Sequence, residues 1–243
     1  MTELLYQTDS YLKEFTATVV ASEGNAVVLD RTAFYPGGGG QPADKGTLTP
    51  AAGGDSRAVI GFERRDGRLW HKLDGEALAV GTAVVGRLDW EPRYQLMRTH
   101  TALHILCGVI FRHYGASVTG GNMEPLQGRM DFELEHMSVN FAEEVEAKIN
   151  AEVAAARPVV VRILPREEAF QIPDLIRTKI NLLPPAIQQV RVVEIVGLDL
   201  QADGGTHVAN TSEVGHIRVV SHESKGKINK RLRIALSRSQ KVP

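Results

Sequence analysis

The fold of this chain is decided by residues 89–115, DWEPRYQLMRTHTALHILCGVIFRHYG. The opening aspartate can cap a helix that has Pro92 in its first turn, and Gly115 is a typical helix stop. Apolar residues recur at helical spacing through the stretch, and His100 and His104 lie on or beside the apolar side. The stretch therefore predicts a long helix that turns two histidines toward the protein interior.

Short β-strands are predicted before this helix. Runs rich in threonine, valine and other apolar residues are separated by turn signals, at a spacing typical of a small β-barrel. The predicted strands cover residues 15–21, 26–29, 58–63, 68–73 and 83–88.

The pattern after the helix is mixed. A second helix is predicted to begin at Asn140, where Glu143 completes a capping-box-like pattern, and to run to about Ala156. Further strands are predicted at 159–164, 189–196, 216–221 and 231–236. The predicted class is α+β: a small β-barrel with a glycine-rich motif in residues 1–89, packed on a domain of residues 90–243 with helices against an antiparallel sheet.

The composition is that of an ordinary globular protein. Hydrophobic residues at 43% and charged residues at 23% are typical, and a formal net charge of -1 gives no overall attraction to nucleic acid or membrane. The single cysteine, Cys107, excludes an internal disulfide and fits a reducing compartment. No signal peptide, membrane-spanning run or obligatory protein partner is evident, so we expect a cytoplasmic protein without a membrane partner.

Two separated segments have the residue types of one metal site. His100 and His104 lie four residues apart, which places both imidazoles on one helix face. Asp203-Gly-Gly-Thr-His207 places a carboxylate and an imidazole around a glycine pair that can bend tightly. Three nitrogens and one oxygen suit zinc, which activates water and so indicates hydrolysis. Packed core histidines and a simple Asp-Gly-Gly turn are the alternatives that the spacing leaves open.

Other readings of these motifs are weaker. A zinc peptidase needs glutamate directly after the first histidine, and this chain has Thr101 there. Cys107 lies one turn beyond His104, too far along one helix to share an ion with both histidines, so we expect a core residue. The glycine run 37–40 lacks the Gly-Lys-Ser/Thr of a phosphate loop. It predicts either a flexible hairpin tip or a loop whose bare backbone closely approaches a ligand or the other domain, with Gln41 and Asp44 as its polar contacts.

Taken together, four segments resemble the AlaX-type alanyl-tRNA editing proteins, free-standing relatives of the editing domain of alanyl-tRNA synthetase. The resemblance covers residues 15–235, and the length is similar to that of the medium-sized members. The segments are FYPGGGGQPAD (34–44), RTHTALH (98–104), GRMDF (128–132) and GGTHVANTSEVG (204–215).

The resemblance implies one zinc ion per chain. It places His100, His104 and His207 on three family zinc ligands, whose metal-activated water makes them the catalytic residues. Asp203 occupies the fourth position, where the common family pattern has cysteine. Aspartate can bind zinc through oxygen at ~2.0–2.2 Å, but it can equally serve as a partner of a ligand.

The implied reaction is hydrolysis of the ester that joins a wrong amino acid to tRNA(Ala). Seryl-tRNA(Ala) is the expected substrate and glycyl-tRNA(Ala) the second, because an alanine pocket rejects neither amino acid strongly. Thr119 falls about where the family places a threonine in the amino-acid pocket, with an ordinary strand-edge threonine as the alternative. The resemblance also puts Gly38, Gly39 and Gln41 at the substrate.

The expected partner is mischarged tRNA(Ala), held through its phosphates. Residues 224–243 are basic and contain no acidic residue, although a solvated basic end is the commoner explanation for such a run. The candidate tRNA-binding residues are Arg98, Arg129, Lys225, Lys227, Lys230 and Arg231.

Two rival functions remain open. One is a non-catalytic tRNA-binding module in which Asp203 marks a decayed metal site. The other is a metal-dependent hydrolase of small esters, whose turnover would be insensitive to salt because no phosphate contacts are involved.

Overall fold

The computed structural model describes residues 2–134, 138–173, 175–176, 187–226 and 228–238. Within these ranges the protein is mixed α+β, with mostly antiparallel sheets and few helices, as the sequence predicts. The chain divides into two compact units. The first comprises Met1–Gly38 and Pro42–Tyr94, and the second comprises Gly39–Gln41 and Gln95–Pro243.

The first unit is built from eight described strands. Six of them pair antiparallel in the ring order β2-β3-β7-β6-β5-β8 and close a barrel, while β1 pairs parallel with β4 beside a short 3-10 helix, Leu5–Gln7. The strands are β1 (Glu3–Leu4), β2 (Glu14–Glu23), β3 (Ala26–Leu29), β4 (Arg31–Thr32), β5 (Gly46–Pro50), β6 (Arg57–Arg65), β7 (Arg68–Leu73) and β8 (Ala83–Leu88).

Alternate side chains of β2 fill the barrel. Phe15, Ala17 and Val19 are buried, as the two-residue period of a strand with one buried face requires. Phe15 lies opposite Gly86 of β8, and a Cβ built on Gly86 would lie 2.4 Å from carbons of the Phe15 ring. Gly86 therefore leaves room for the aromatic side chain at the centre of the barrel.

A buried ion pair joins the end of the glycine-rich segment to the start of the long helix. Arg93 pairs with the Asp44 carboxylate, and both side chains are almost fully buried. The same carboxylate accepts a hydrogen bond of 2.6 Å from the backbone N–H of Tyr35. Asp44 therefore has almost no exposed surface with which to contact a ligand.

The second unit contains two antiparallel sheets and most of the long helix. One sheet has the order β14-β15-β10-β9 and the other β11-β12-β13. Its strands are β9 (Val118–Glu124), β10 (Gln127–Glu133), β11 (Val159–Pro165), β12 (Gln189–Ile195), β13 (Asp199–Ala202), β14 (Ile217–Ser224) and β15 (Asn229–Leu236). The described helices are α1 (Trp90–Tyr114), α2 (Phe141–Ala154), α3 (Arg166–Ala169) and a 3-10 helix, Thr211–Val214.

The helix boundaries agree with their predicted caps in one case and differ in another. Helix α1 ends before Gly115, which has a φ of 64° and donates to the carbonyl of Phe111. Asn140 precedes α2, but its side chain accepts no capping hydrogen bond, so the predicted capping box is wrong. A capping box is instead formed by Asn210 and Glu213 at the 3-10 helix.

Cys107 is 1% exposed in the core, as predicted. No helix within the described ranges combines the length and the apolar character that a membrane crossing requires.

Candidate metal centre

Four side chains from two separated parts of the second unit converge on one point. They are His100 and His104 from α1 and Asp203 and His207 from the segment after β13. One ligand atom from each can be chosen so that all four lie within 4.8 Å of one another. The two segments that the sequence pairs as halves of a metal site are therefore brought together.

The three imidazoles pack closely. The ring centroid of His207 lies 4.2 Å from that of His100 and 4.6 Å from that of His104, and the two helical histidines are 5.1 Å apart. The four-residue spacing on α1 produces the last distance, because one helical turn separates the two side chains. All three histidines are at least 94% buried.

Asp203 contacts two of the three histidines. Its Oδ2 is 2.9 Å from Nε2 of His207, and its Oδ1 is 3.6 Å from Nε2 of His100. Ligand atoms around a tetrahedral zinc ion are about 3.3 Å apart for bonds of about 2.05 Å. The two Asp203 separations bracket that value, and all four ligand atoms lie within 4.8 Å of one another.

The Nδ1 atoms of His100 and His207 are held on the side away from the cluster. His100 Nδ1 lies 3.0 Å from Oε1 of Gln41, and His207 Nδ1 lies 3.1 Å from the hydroxyl of Thr101. A metal-binding imidazole usually gives its second nitrogen to such a partner, which fixes the tautomer and the ring orientation. Both histidines are therefore arranged to offer Nε2.

His104 has a carboxylate in the corresponding place. Its Nδ1 lies 3.2 Å from Oδ2 of Asp199, whose side chain is fully buried. Gly108 permits this approach, because a Cβ there would lie 2.9 Å from Leu198 and 3.0 Å from Asp199. Helix α1 can therefore pack directly against the start of β13.

Gly205 is required by close packing. A Cβ at this position would lie 2.3 Å from Cε1 of His100 and 2.6 Å from Oε1 of Gln41. A Cβ at Gly204 would meet nothing within 4 Å, and neither glycine has a left-handed φ. The sequence suggested a special backbone path for this pair, but the structure gives a different reason: His100 occupies the space of a side chain at Gly205.

The backbone around Asp203 is also fixed. Its Oδ2 accepts a hydrogen bond from the N–H of Gly205, and its carbonyl accepts one from Nη1 of Arg191, both at 2.9 Å. That Nη1 lies 3.7 Å from Asp203 Oδ2, so a buried positive charge stands beside the carboxylate.

Burial sets the protonation states of the cluster. It lowers the pKa of His100 to about 4, against the opposing charge of Asp203, and together with the charge of His100 it lowers the pKa of His207. Burial would also lower the pKa of His104, but the Asp199 carboxylate outweighs it and raises that pKa. Burial would raise the pKa of Asp203, but the surrounding imidazoles, His100 first, hold it well below its usual value.

The cluster therefore fits a divalent metal ion. Metal ligation requires neutral imidazole and ionised carboxylate. Burial favours the neutral form of His100 and His207, and the lowered pKa of Asp203 favours its ionised form, whereas Asp199 favours the charged form of His104. A donor set of three imidazole nitrogens and one carboxylate oxygen suits zinc and other first-row divalent ions.

The predicted substrate contacts are divided by the structure. Gly38 and Gly39 are exposed, whereas Gln41 is 2% exposed and bonded inside the second unit. This corrects the prediction that Gln41 contacts the substrate. Both polar atoms of its side-chain amide bond protein groups instead. Thr119 lies exposed on β9, where its hydroxyl donates to Oδ1 of Asn229 at 2.9 Å.

Two of the six predicted tRNA contacts are buried. Arg98 is 1% exposed, and its guanidinium donates to the carbonyls of Val214 and Ser237. Lys230 is 6% exposed, and its ammonium donates to the Ser224 hydroxyl and to a backbone carbonyl. Neither has a surface to offer a phosphate, so both predictions are corrected.

The other candidate tRNA contacts are accessible where they are described. Arg129 and Arg231 are partly exposed on β10 and β15, and both pair with Asp131. The hydrogen bonds and charges of the two arginines, chiefly those of Arg231, lower the pKa of Asp131, although burial opposes them. Lys225 is exposed beside Glu223. Lys227 lies outside the described residues.

Sequence reasoning missed the partners of the histidines. In the sequence Thr101 serves only to exclude a zinc peptidase, yet in the structure it contacts His207 and accepts a hydrogen bond from the N–H of Val208. Asp199 and Arg191 carry no motif. Only their place on strands that lead to Asp203 could have drawn attention to them.

Two comparisons with known families match separate parts of the chain. Residues 190–233 match the family described as "Threonyl and Alanyl tRNA synthetase second additional domain". Residues 6–92 match the family described as "tRNA synthetases class II (A)".

Individual relatives match nearly the whole chain. The "Alanyl-tRNA editing protein AlaX-M" of Saccharolobus solfataricus is 43% identical over 234 residues, covering 96% of this chain and 98% of the relative. The protein of that name from Methanosarcina barkeri is 39% identical, covering 97% and 99%. The "Alanine--tRNA ligase" of Ignicoccus hospitalis is 39% identical over 90% of this chain, but over only 24% of its own length.

Proposed function

This chain belongs to the AlaX-type alanyl-tRNA editing proteins, and we propose that it hydrolyses the ester joining a wrong amino acid to tRNA(Ala). Relatives named for alanyl-tRNA editing match it at 38–43% identity over nearly its full length. The observation that carries the proposal is the buried cluster of His100, His104, Asp203 and His207. A hydrolase can use a site of this kind to activate water, whereas a plain binding module has no use for it.

The four cluster residues would hold one zinc ion per chain. A bound zinc ion supplies Lewis-acid polarisation and lowers the pKa of a coordinated water. The protein contributes three imidazoles whose Nδ1 atoms face protein groups, an anionic Asp203 and a buried surrounding that strengthens electrostatic interactions. Arg191 holds the Asp203 carbonyl and stands beside its carboxylate, which keeps that side chain in place without neutralising it.

Seryl-tRNA(Ala) is the proposed substrate, with glycyl-tRNA(Ala) second, and Thr119 is the proposed serine-sensing residue. A site that hydrogen-bonds a substrate hydroxyl can reject analogues that lack it. Support comes from β9, which carries the exposed Thr119. The same strand lies against the loop of Gly39 and Gln41, because Met123 donates to the carbonyl of Gly40 at 3.1 Å.

The tRNA would bind through phosphates to the exposed side of β10 and β15. Arg129 and Arg231 lie on this side, and in the register Arg129 faces Arg233 directly. Lys225 extends the same basic region at the end of β14. Since the substrate is a charged tRNA, a cytoplasmic location is part of the proposal.

We assign the editing chemistry to residues 90–243 and a glycine-motif barrel domain to residues 1–89. All four cluster residues lie within residues 90–243, and the closed ring of strands lies within residues 1–89.

The test is release of amino acid from Ser-tRNA(Ala), Gly-tRNA(Ala) and Ala-tRNA(Ala) by purified protein, with and without chelator. We expect rapid, chelator-sensitive loss of serine, with alanine retained. The double variant His100→Ala, His104→Ala should lose this activity, while His113→Ala, at an exposed position on the same helix, should keep it. Retained turnover in a folded double variant would exclude the metal site as the catalytic centre. Retained tRNA binding without release of any amino acid would favour a non-catalytic module.

A further inference from the structure

Gln41 contacts the metal cluster through an imidazole. Its side chain is 2% exposed and makes three contacts within the second unit. Oε1 lies 3.0 Å from His100 Nδ1 and accepts a 3.0 Å hydrogen bond from the N–H of Thr206, while Nε2 donates to the Thr206 hydroxyl at 2.8 Å. The amide is therefore oriented unambiguously, with its oxygen toward His100.

The orientation of this amide determines which nitrogen of His100 can bind a metal. Oε1 is an acceptor only, so His100 must place its proton on Nδ1 to form the bond. The unprotonated Nε2 then faces Asp203, 3.6 Å away. A reversed tautomer would set two lone pairs against each other at Gln41.

Glycines allow this side chain to reach the cluster. Gly40 has a φ of 87°, and a Cβ there would lie 3.0 Å from the carbonyl oxygen of Gly121. A Cβ at Gly205 would lie 2.6 Å from Oε1 of Gln41. A larger residue at either position would obstruct the loop or its amide, which gives part of the glycine-rich run a physical purpose.

We propose that Gln41 is a positioning residue that fixes the Nε2-ligating tautomer of His100, so that residues 39–41 form a working part of the metal centre. The inference rests on the proposed function only in taking the cluster as a metal site. It makes no use of the tRNA or of the amino acid released.

The test compares three variants for zinc affinity, measured by competition with a chromophoric chelator in the absence of tRNA. Gln41→Leu removes the acceptor at similar size and should weaken zinc binding about 10- to 100-fold, as loss of a ligand's partner typically does. Gln41→Glu keeps an acceptor for His100 and should restore most of the affinity. Gln127→Leu is the matched control, because it makes the same change at an exposed position of β10 and should leave zinc affinity unchanged.

The imidazole ¹⁵N signals of the zinc-loaded wild-type protein provide a readout that a merely structural role would not move. We expect His100 to be protonated at Nδ1 and to lose this fixed state in Gln41→Leu. If Gln41→Leu fails to fold, the wild-type spectrum alone still shows whether zinc binds His100 through Nε2 or through Nδ1. Metalated Nδ1 in the wild type, wild-type affinity in Gln41→Leu, or an equal loss in Gln41→Glu would overturn the proposal.

Failure of the editing function is distinguishable from failure of this inference. A protein that binds zinc in a Gln41-dependent manner but releases no amino acid would support Gln41 and refute deacylation. A wild-type protein that binds no zinc would overturn the role of Gln41.

Discussion

His104 Nδ1 lies 3.2 Å from Oδ2 of Asp199, a carboxylate with no exposed surface. A carboxylate beside the second ring nitrogen of a metal-binding imidazole raises the basicity of the imidazole and fixes the orientation of the ring. The described partners at Nδ1 of the other two histidines are neutral: an amide at His100 and a hydroxyl at His207. At His104 the partner is a carboxylate. His104 should therefore be the most strongly donating imidazole of the set.

Replacing Asp199 with asparagine should weaken zinc binding about 10- to 100-fold. The substitution keeps the shape of the side chain but removes the charge behind His104. Chelator competition measures the effect, and Asp131→Asn, whose carboxylate instead pairs with Arg231, is the control. Equal affinity in Asp199→Asn and wild type would show that the carboxylate supports only the fold.

The two glycines after Asp203 should respond differently to alanine. Gly205→Ala would force a Cβ to within 2.3 Å of His100, whereas Gly204→Ala meets nothing within 4 Å. We expect Gly205→Ala to lose metal affinity at least tenfold and about 1–3 kcal/mol of stability, the usual cost of overpacking. Thermal unfolding and zinc titration of both variants check this, and similar behaviour of the pair would contradict the packing explanation.

The barrel should lose stability in acid through His71. This histidine is fully buried, its Nε2 lies 3.0 Å from the Thr32 hydroxyl, and burial lowers its pKa from 6.5 to about 4. The unfolded chain takes up the proton near pH 6.5 and the folded one only near pH 4. Stability is therefore fully present above pH 6.5 and declines as the pH falls toward 4, by about 3.5 kcal/mol at 1.4 kcal/mol per pKa unit.

His71→Gln should flatten this decline, because glutamine does not titrate. Denaturant unfolding of variant and wild type between pH 7 and pH 4.5 isolates the contribution of His71 from that of the other buried histidines. His113→Gln, at an exposed position, is the matched control. Parallel curves for His71→Gln and wild type would assign the acid sensitivity elsewhere.

Phosphate binding by Arg129 and Arg231 should be visible in the salt dependence of tRNA binding. Each arginine replaced by alanine should reduce the slope of log K against log salt by roughly one. Arg162→Ala serves as the control, since Arg162 likewise pairs with a carboxylate, that of Glu194, but lies on β11. An unchanged slope in Arg129→Ala and Arg231→Ala would move the tRNA to another surface.

The sequence predicts those parts of the site that lie within a short local pattern, and it does not predict contacts between residues far apart in the chain. His100 and His104 follow from helical periodicity, and residues 203–207 follow from a compact motif, so the pattern alone could place four side chains together. Gln41, Thr101 and Asp199 belong to no local period: the contact between Gln41 and His100 joins residues 59 positions apart. Only the folded chain brings such pairs together.

The fold shows the same division. The long helix and most strands have strong periodicity or caps, and they were predicted near their observed bounds. Strands β9 and β10 are rich in glycine and polar residues and were missed, because their pairing with β15 determines their conformation. Arg98 was misjudged because a buried arginine and a surface one look alike in sequence.

The hydrogen bonds of Arg98 bear on how a metal ion would enter and leave the site. Its guanidinium holds the carbonyls of Val214 and Ser237, which tether α1 to the backbone that follows His207. These three hydrogen bonds do not involve the metal site, so the helix that carries His100 and His104 is held in place whether or not a metal ion is bound. The apoprotein should accordingly retain its native state when stripped, and the ion should exchange in and out as a reversible cargo rather than as a folding nucleus.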